Sequence, residues 1–558
     1  MLRKRFRNIF FICYTDSMKK KQIKGIDGIR ALAIIGVTAF HFFPDLFKGG
    51  YMGVCLFFIV TGFLLMQQEK EKFSILSFYK KRIKRIYPSL LFVLAITLSV
   101  YFLVDPSLLD GMKPEVLSIL LGYNNIWQMI QNADYFTRIL NASCFTSLWF
   151  LSMEMQIYLI WPFIYSGIQF LIKKINQQTA IYVVAFLTLL SGIWMMACLP
   201  QGITRVYYGL NTRIFSLLMG VILALYVKQH PKKGNKVQGI VFSFVFVLLY
   251  LFICLTMDGE KNWVYMGIMW LVSLLFTVFL YFVIQPSYKI YKWLENPVLK
   301  CIGKLSYEIY LWQYPVLFLC QKLHFSYISI QLFILLILSI FTYVILHQKE
   351  KMKLLIIYCV SFSISGYGLI QSKDKKEDIE ELKTQMETNK EQMIKENKTI
   401  SSADIVMVGD SVLLGSYDEI KNVYPDSLID AEVSRHMGQE KEALMQFETN
   451  GQLKDIVVIA MGTNGLIYDF LAIDVLDYLK DKQVYWINNY CPNSSWQDTN
   501  NAYLEELAKQ YSNLHIIDWY TQASQHPEYL SSDGIHPNQQ GAKVFAELIQ
   551  QAIEGEKS

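Results

Sequence analysis

The stretch Asp404-Ile405-Val406-Met407-Val408-Gly409-Asp410-Ser411 puts a serine at the end of an apolar, largely β-branched run. Such a run reads as a buried strand that stops at Gly409 and delivers Ser411 from its C-terminal end. In an α/β sheet that end is where ligands bind and reactions are carried out. A serine there becomes an acyl-transfer nucleophile when a base removes its proton and an acid orients the base. Ser532-Asp533-Gly534-Ile535-His536-Pro537 offers both, because Asp533 and His536 stand three apart in a turn. The carboxylate can then fix the imidazole tautomer while the other ring nitrogen faces Ser411. Two further blocks end strand-like runs: Ile429-Asp430-Ala431-Glu432-Val433-Ser434-Arg435-His436 and Ile459-Ala460-Met461-Gly462-Thr463-Asn464-Gly465. Asn464 can aim its side-chain amide at an oxyanion, and the backbone amides of Ser411 and Ser434 offer two more donors. Taken singly, a Gly-Asp-Ser is usually a turn and an Asp-x-x-His usually a loop feature. Four such blocks, each at a strand end or before a helix, argue for one pocket.

The elements that must position these blocks alternate. Strands are expected at 404–408, 428–433, 455–460, 483–488 and 514–518, and helices at 439–448, 468–481, 500–511 and 538–553. Parallel strands alternating with helices imply a three-layer α/β domain over 403–558, long enough for one core. Its single cysteine, Cys491, cannot form an internal disulfide, so that core must suffice. Ahead of it, residues 372–402 are rich in Lys, Glu and Asp, without Pro or Gly, and read as a solvated helix or tether that supplies reach.

The rest is different in kind. Of the 558 residues, 53% are hydrophobic and only 18% charged, against roughly 45–50% and about 25% in soluble domains. Nearly all the excess precedes Gln371. About eleven segments reach the length that a hydrocarbon core demands: 28–46, 51–68, 87–105, 147–172, 180–199, 212–228, 237–257, 264–285, 305–323, 326–347 and 353–371. The stretch 114–131, interrupted by Gly122 and Asn124-Asn125, is left out as a re-entrant or surface segment. Alternate connections carry the basic residues, among them Lys80-Lys81-Arg82 with Lys84-Arg85, Lys173-Lys174, Lys232-Lys233 and Lys349; the others hold few, such as Lys113 and Arg138. The bias expects a cytoplasmic N-terminus, and an odd number of crossings then puts Ser411 outside the cell. A net charge of +5 spread over such loops answers to topology rather than to nucleic acid. Residues 1–23 are basic but lack an apolar core with a cleavage site, so no cleaved signal peptide is expected, and Met18 is an alternative start. No His/Cys cluster has metal-ligand spacing.

Ionisable groups inside such spans are costly and are functional candidates by default. Arg30 and His41 bracket the first helix, Glu154 lies in the fourth and Arg213 opens the sixth. At about 1.5 Å per residue His41 lies roughly 20 Å beyond Gly28, and Glu154 roughly 10 Å below Ser147, which would put the two at similar depth.

Six motifs between residue 24 and about 347 resemble the membrane acyltransferase-3 family in order. They are Gly25-Ile26-Asp27-Gly28-Ile29-Arg30 with His41; Gly49 to Val54 with Leu56 to Leu64; Phe78 to Pro88; Leu151 to Leu159; Arg205 to Arg213; and Ser306-Tyr307 with Tyr310 to Pro315. The resemblance implies transfer of an acyl group, usually acetyl from cytoplasmic acetyl-CoA, to a carbohydrate beyond the membrane. It nominates Arg30, His41, Arg82, Arg85, Glu154, Tyr207, Tyr208 and Arg213. Arginines at the inner face suit the CoA phosphates, and a buried histidine can move a proton. Met155, Asn211 and Gln313 depart from the family pattern, so no essential ionisable group stands there.

The four C-terminal blocks resemble the SGNH/GDSL hydrolases, and among them the cell-wall branch, in which the same two modules are joined in this order. The superfamily's second-block glycine is Ser434 here, and His436 follows Arg435 where the branch usually has Gln. His436 lacks an Asp partner, which leaves His536 as the base. Trp496 serves either as a sugar-stacking surface or in packing.

Together these readings expect an all-α polytopic membrane domain (24–371), a charged linker (372–402) and an extracytoplasmic three-layer α/β domain (403–558). The expected activity is O-acetylation of a cell-wall polysaccharide through an acetyl-serine, first at the C6 hydroxyl of muramic acid in peptidoglycan. Teichoic acid or exopolysaccharide is the alternative acceptor. An acetyl esterase, and a permease with a sensory domain, are the competing functions.

Overall fold

The computed structural model describes residues 23–44, 46–67, 73–131, 143–229, 235–259, 261–323, 325, 327–347, 351–372, 375–400, 403–492, 494, 496–531 and 533–555. The basic N-terminus with its two candidate starts, the loop residues Arg138, Lys232, Lys233 and Lys349, and Ser532 lie outside the described residues. The chain forms two compact units, a helical one that ends at Lys373 and an α/β one that begins at Asp374.

Each of the eleven apolar segments overlaps one long helix: Ile26–Phe42, Gly53–Gln67, Ile75–Val104, Trp149–Lys174, Gln177–Cys198, Leu210–Gln229, Lys236–Thr256, Met269–Ile284, Pro297–Lys322, Ile328–His347 and Lys351–Gln371. Among the described residues, 9 helices are long and apolar enough to cross a membrane. The two that fall short have plain reasons: Ile26–Phe42 has 17 residues, and Pro297–Lys322 carries Lys300, Lys304 and Glu308 in its first half. The interrupted stretch is two short helices, Met112–Leu121 and Asn124–Gln131, broken where Gly122 takes a left-handed φ of 75°. Without water to drive them together, helices in lipid pack by close backbone approach at small residues. Gly62 and Gly220 do this reciprocally: a Cβ on either would lie 2.0 Å from the carbonyl oxygen of Leu217 or Ile59 on the facing helix.

In the α/β unit five parallel strands stand in the order β2-β1-β3-β4-β5: β1 Ile405–Gly409, β2 Leu428–Ala431, β3 Ile456–Ala460, β4 Gln483–Ile487 and β5 Leu514–Ile517. Alternate residues of β1 serve opposite cores, Ile405 and Met407 on one face and Val406 and Val408 on the other, as the two-residue period of a strand requires. Helices cover both faces, which gives three layers. The strand order reverses at β1, and Gly409 is aligned with Ala431 of β2 and Ala460 of β3. Loops leaving these three strands therefore start from one edge, at the switch point where such sheets bind ligands.

The charged stretch read as a solvated helix or tether is a helix, Lys375–Asn397, and one stripe of it is not solvated but belongs to the α/β core. Leu382, Met386, Asn389 and Met393 are buried. Asn389 Nδ2 donates to Leu414 O (2.9 Å), Asn397 Nδ2 to Ile429 O (2.6 Å), and Tyr417 donates to Glu396 (2.7 Å). The charges face water and the four apolar or amide positions do not, so composition alone concealed a packed helix.

Candidate active site

Gly409 ends β1 and Asp410 turns the chain into the short helix Ser411–Gly415. The Asp410 amide donates to Ala460 O (3.0 Å), and its Oδ1 accepts the amide of Val412 (2.9 Å) as an N-cap. Ser411 thus occupies the first helical position, where the helix dipole favours developing negative charge.

His536 Nε2 lies 2.8 Å from Ser411 Oγ, and His536 Nδ1 lies 2.5 Å from Asp533 Oδ2. The other carboxylate oxygen accepts the amides of Ile535 (2.8 Å) and His536 (3.0 Å). With Asp533 taking the Nδ1 proton, Nε2 is left to accept from Ser411. All three side chains are buried. Burial pushes the Asp533 carboxyl up, but the His536 ring and the two amides outweigh it and hold the group below the usual carboxylate range. The three residues nominated from the sequence for nucleophile, base and acid therefore form one hydrogen-bonded chain.

The second and third blocks come together through a residue given no role from the sequence. The guanidinium of Arg435 donates from Nη1 to Asp430 O (2.6 Å) and Gly409 O (3.2 Å), and from Nη2 to Asp430 Oδ1 (2.7 Å). Its own carbonyl accepts Asn464 Nδ2 (3.1 Å). Asn464 thus sits at the seam between blocks. Ser434, the other nominated oxyanion residue, has φ 64°, a left-handed conformation that costs a residue with a Cβ roughly 1–2 kcal/mol and explains why glycine suits the position. His436 is exposed and its amide donates to Gln439 Oε1 (3.0 Å). Asn500, also missed, clamps the third block: it donates to Gly462 O (3.0 Å) and Gly465 O (2.9 Å) and accepts from Ile467 N (2.9 Å). Only contacts from distant sequence reveal these two. Trp496, on the loop after β4, donates its indole proton to Thr463 O (3.3 Å) of the third block.

The membrane-domain candidates divide between two cavities of the helical unit. Arg30, Arg82, Arg85 and Glu154 line one, with Tyr158 and Tyr307. Glu154 accepts from Tyr158 (2.5 Å) and Thr61 (3.2 Å), and the Arg82 guanidinium lies 4.7 Å from the Tyr158 ring centre. His41, Tyr207 and Tyr208 line the other, of about 540 Å³, with Tyr51, Trp149 and Tyr314. Arg213 is buried and lies over the rings of Tyr207 (5.0 Å) and Trp149 (5.9 Å).

His41 and Glu154, expected at similar depth, line different cavities. Trp149 and Glu154 share a helix but line different cavities, and their five-residue separation is about 7–8 Å along the axis. Tyr310 also marks the division: its hydroxyl donates to Ser147 O (2.5 Å), and Ser147 lines the His41 cavity while Tyr310 lines the other. The departures from the family pattern are accommodated as neutral groups. Gln313 accepts from Thr38 (3.3 Å), Asn211 from Arg205 (3.3 Å), and Met155 packs on Gly122.

Residues 23–348 match the family model Acyl_transf_3, described as an acyltransferase domain. The chain is 26% identical over 589 residues to the O-acetyltransferase OatA of Staphylococcus aureus strain NCTC 8325, covering 96% of each. To YrhL of Bacillus subtilis strain 168, a protein provisionally named a peptidoglycan O-acetyltransferase, it is 25% identical over 634 residues, covering 97% of this chain and 100% of that one. The solved C-terminal catalytic domain of Streptococcus pneumoniae peptidoglycan O-acetyltransferase A is 25% identical, aligned over 28% of this chain and 95% of that one with a TM-score of 0.26.

Proposed function

Since the chain belongs to the acyltransferase family matched over residues 23–348, we propose that it is a two-step O-acetyltransferase acting on a cell-wall polysaccharide. Its similarity along nearly its whole length to a protein named an O-acetyltransferase, and to one provisionally named for peptidoglycan, supports that reading. The observation that carries it is the Ser411–His536–Asp533 chain in a unit separate from the acyltransferase module.

In this reading the N-terminus is cytoplasmic, eleven helices cross the bilayer, and the α/β unit works outside. Acetyl-CoA is the donor. Arg30, Arg82 and Arg85 bind its phosphates as charge-assisted partners, and Glu154 holds Tyr158 and Thr61 beside them. His41, in the tyrosine-lined cavity, moves the proton that acyl transfer releases.

Ser411 then takes the acetyl group. His536 Nε2 removes the hydroxyl proton as Oγ bonds to the carbonyl carbon, and returns that proton to the departing group as its bond to the carbonyl breaks. The amides of Ser411 and Ser434 and the side chain of Asn464 receive the oxyanion. A sugar hydroxyl, first the C6 hydroxyl of muramic acid, next gives its proton to His536 and attacks the acetyl-serine, and Ser411 leaves reprotonated.

Mass spectrometry of wall polymers tests this. Cells carrying Ser411→Ala or His41→Ala lose the polymer's O-acetyl groups; retention in either removes that residue from the pathway. The same spectra separate muropeptides from teichoic acid or exopolysaccharide as acceptor, and an esterase would instead raise acetylation when Ser411 is lost.

A further inference from the structure

Beneath the nucleophile lies a second set of buried polar groups that the acyl transfer does not use. Asp410 is buried, and one of its oxygens caps Val412 in the turn that carries Ser411. Asp410, Asn489 and Trp519 line a common small cavity, together with Thr463. They come from different elements: the end of β1, the loop after β4, and the start of the helix Trp519–Gln525. Asp410 Oδ2, Asn489 Nδ2 and Trp519 Nε1 are buried and make no hydrogen bond of good geometry among the described residues, the Thr463 amide and hydroxyl attracting the Asp410 carboxyl from outside that geometry. Buried polar atoms in native proteins are nearly always paired, with protein or with ordered water. The Thr463 hydroxyl donates to Asn489 Oδ1 (3.5 Å), which leaves the Nδ2 end for the cavity.

One acceptor and two donors define the guest. The N–H groups of Asn489 and Trp519 refuse a cation, and the Asp410 carboxylate refuses an anion. What remains is a small neutral molecule that accepts twice and donates once. The cavity holds about 10 Å³, room for one water.

We propose that Asp410, Asn489 and Trp519 hold one water molecule under the nucleophile, and that Asp410, through this water and its cap on Val412, is a positioning residue for Ser411. The proposal rests on Ser411 being the nucleophile. For the water to donate to Oδ2, Asp410 must be ionised. Burial, the largest influence, raises its carboxyl to about 6, against the pull of the Val412 amide, His536 and Thr463. The titratable groups facing it are His536, the Cys491 thiol, which burial pushes up to about 11 and so keeps neutral, and Tyr490 of the same cavity, whose phenol burial also pushes up. In acid Asp410 becomes a third donor aimed at a water already accepting twice, and the turn under Ser411 loses its brace. Protonation of Asp410 then lowers activity.

The test uses the full-length protein in detergent, with cleavage of a water-soluble chromogenic acetyl ester followed against pH. The wild type should lose kcat/KM below pH of about 6 as Asp410 takes its proton. Asp410→Asn keeps the capping oxygen, and its limiting logarithmic slope in acid should be lower than that of the wild type by about one, with a plateau roughly 3–10-fold lower. Trp519→Phe removes one donor, and it should move the Asp410 limb to higher pH. An unchanged slope in Asp410→Asn, or an unmoved limb in Trp519→Phe, overturns the proposal. If Ser411→Ala cleaves the ester as fast as the wild type, the underlying assignment of the nucleophile is what fails.

Discussion

The ring nitrogen of His536 stands 2.8 Å from the hydroxyl of Ser411, across 125 residues of chain. Nothing local brings them together. The sheet does, by placing the turn after β1 beside the loop that precedes the last helix, and Asp533 then holds the imidazole in the tautomer that faces the serine.

Replacing that carboxylate tests the tautomer argument. Asp533→Asn keeps the shape of the side chain but no longer demands the Nδ1 proton. Ester cleavage should fall about 10⁴-fold in kcat, as in other Ser-His-Asp sites, while KM changes little. A loss under tenfold would mean that the orienting group lies elsewhere.

Two buried carboxyls should make stability respond to pH with opposite signs. Asp533 is held below its unfolded value, so the stability it contributes is present above pH of about 4 and is lost as pH falls through the folded value. Asp410 is raised to about 6, so the folded state binds its proton more tightly. Its ionisation costs stability as pH rises from about 4 towards 6. Thermal unfolding of the α/β unit should show Asp533→Asn less stable than wild type at pH of about 7, and Asp410→Asn more stable there, each difference shrinking at pH of about 3.5. Matching pH trends for the two variants would contradict these assignments.

The helix Lys375–Asn397 should be part of the folded α/β unit. A fragment beginning at residue 375 keeps Leu382, Met386 and Met393 in the core and the Asn389 bond to Leu414. One beginning at 403 exposes that surface. The longer fragment should be more stable by several kcal/mol in denaturant unfolding, at about 1.5–3 kcal/mol per buried apolar side chain. Equal midpoints would show the helix to be a passive tether.

The two cavities and the triad should be separable by kinetics. Arg82→Ala or Arg85→Ala removes a partner proposed for the CoA phosphates and should raise KM for acetyl-CoA roughly 10–100-fold. Cleavage of a soluble acetyl ester at Ser411 should stay as it was. An equal loss in both assays would show that these arginines support the fold instead.

Much of this arrangement is legible in one sequence because its signals are local. The apolar run before Gly409 fixes β1 to within a residue, and the three-residue spacing of Asp533 and His536 is enough to expect their bond. Arg435 and Asn500 act on backbone carbonyls 26 and 38 positions away, and no local pattern announces such partners. The linker helix did carry a signal: Leu382, Met386, Asn389 and Met393 recur at helical spacing within a charged stretch. In the helical unit, rise per residue locates His41 and Glu154 along their own helices but says nothing of the aromatic side chains that separate their cavities.

The most direct measurement is the fate of labelled acetyl-CoA supplied to membranes that contain the full-length protein and no wall polymer. The label should appear on the peptide carrying Ser411, and should be missing from it in His41→Ala, whose Ser411–His536 pair is intact. Label reaching Ser411 without His41, or never reaching Ser411 in the wild type, would contradict two acetyl transfers in series.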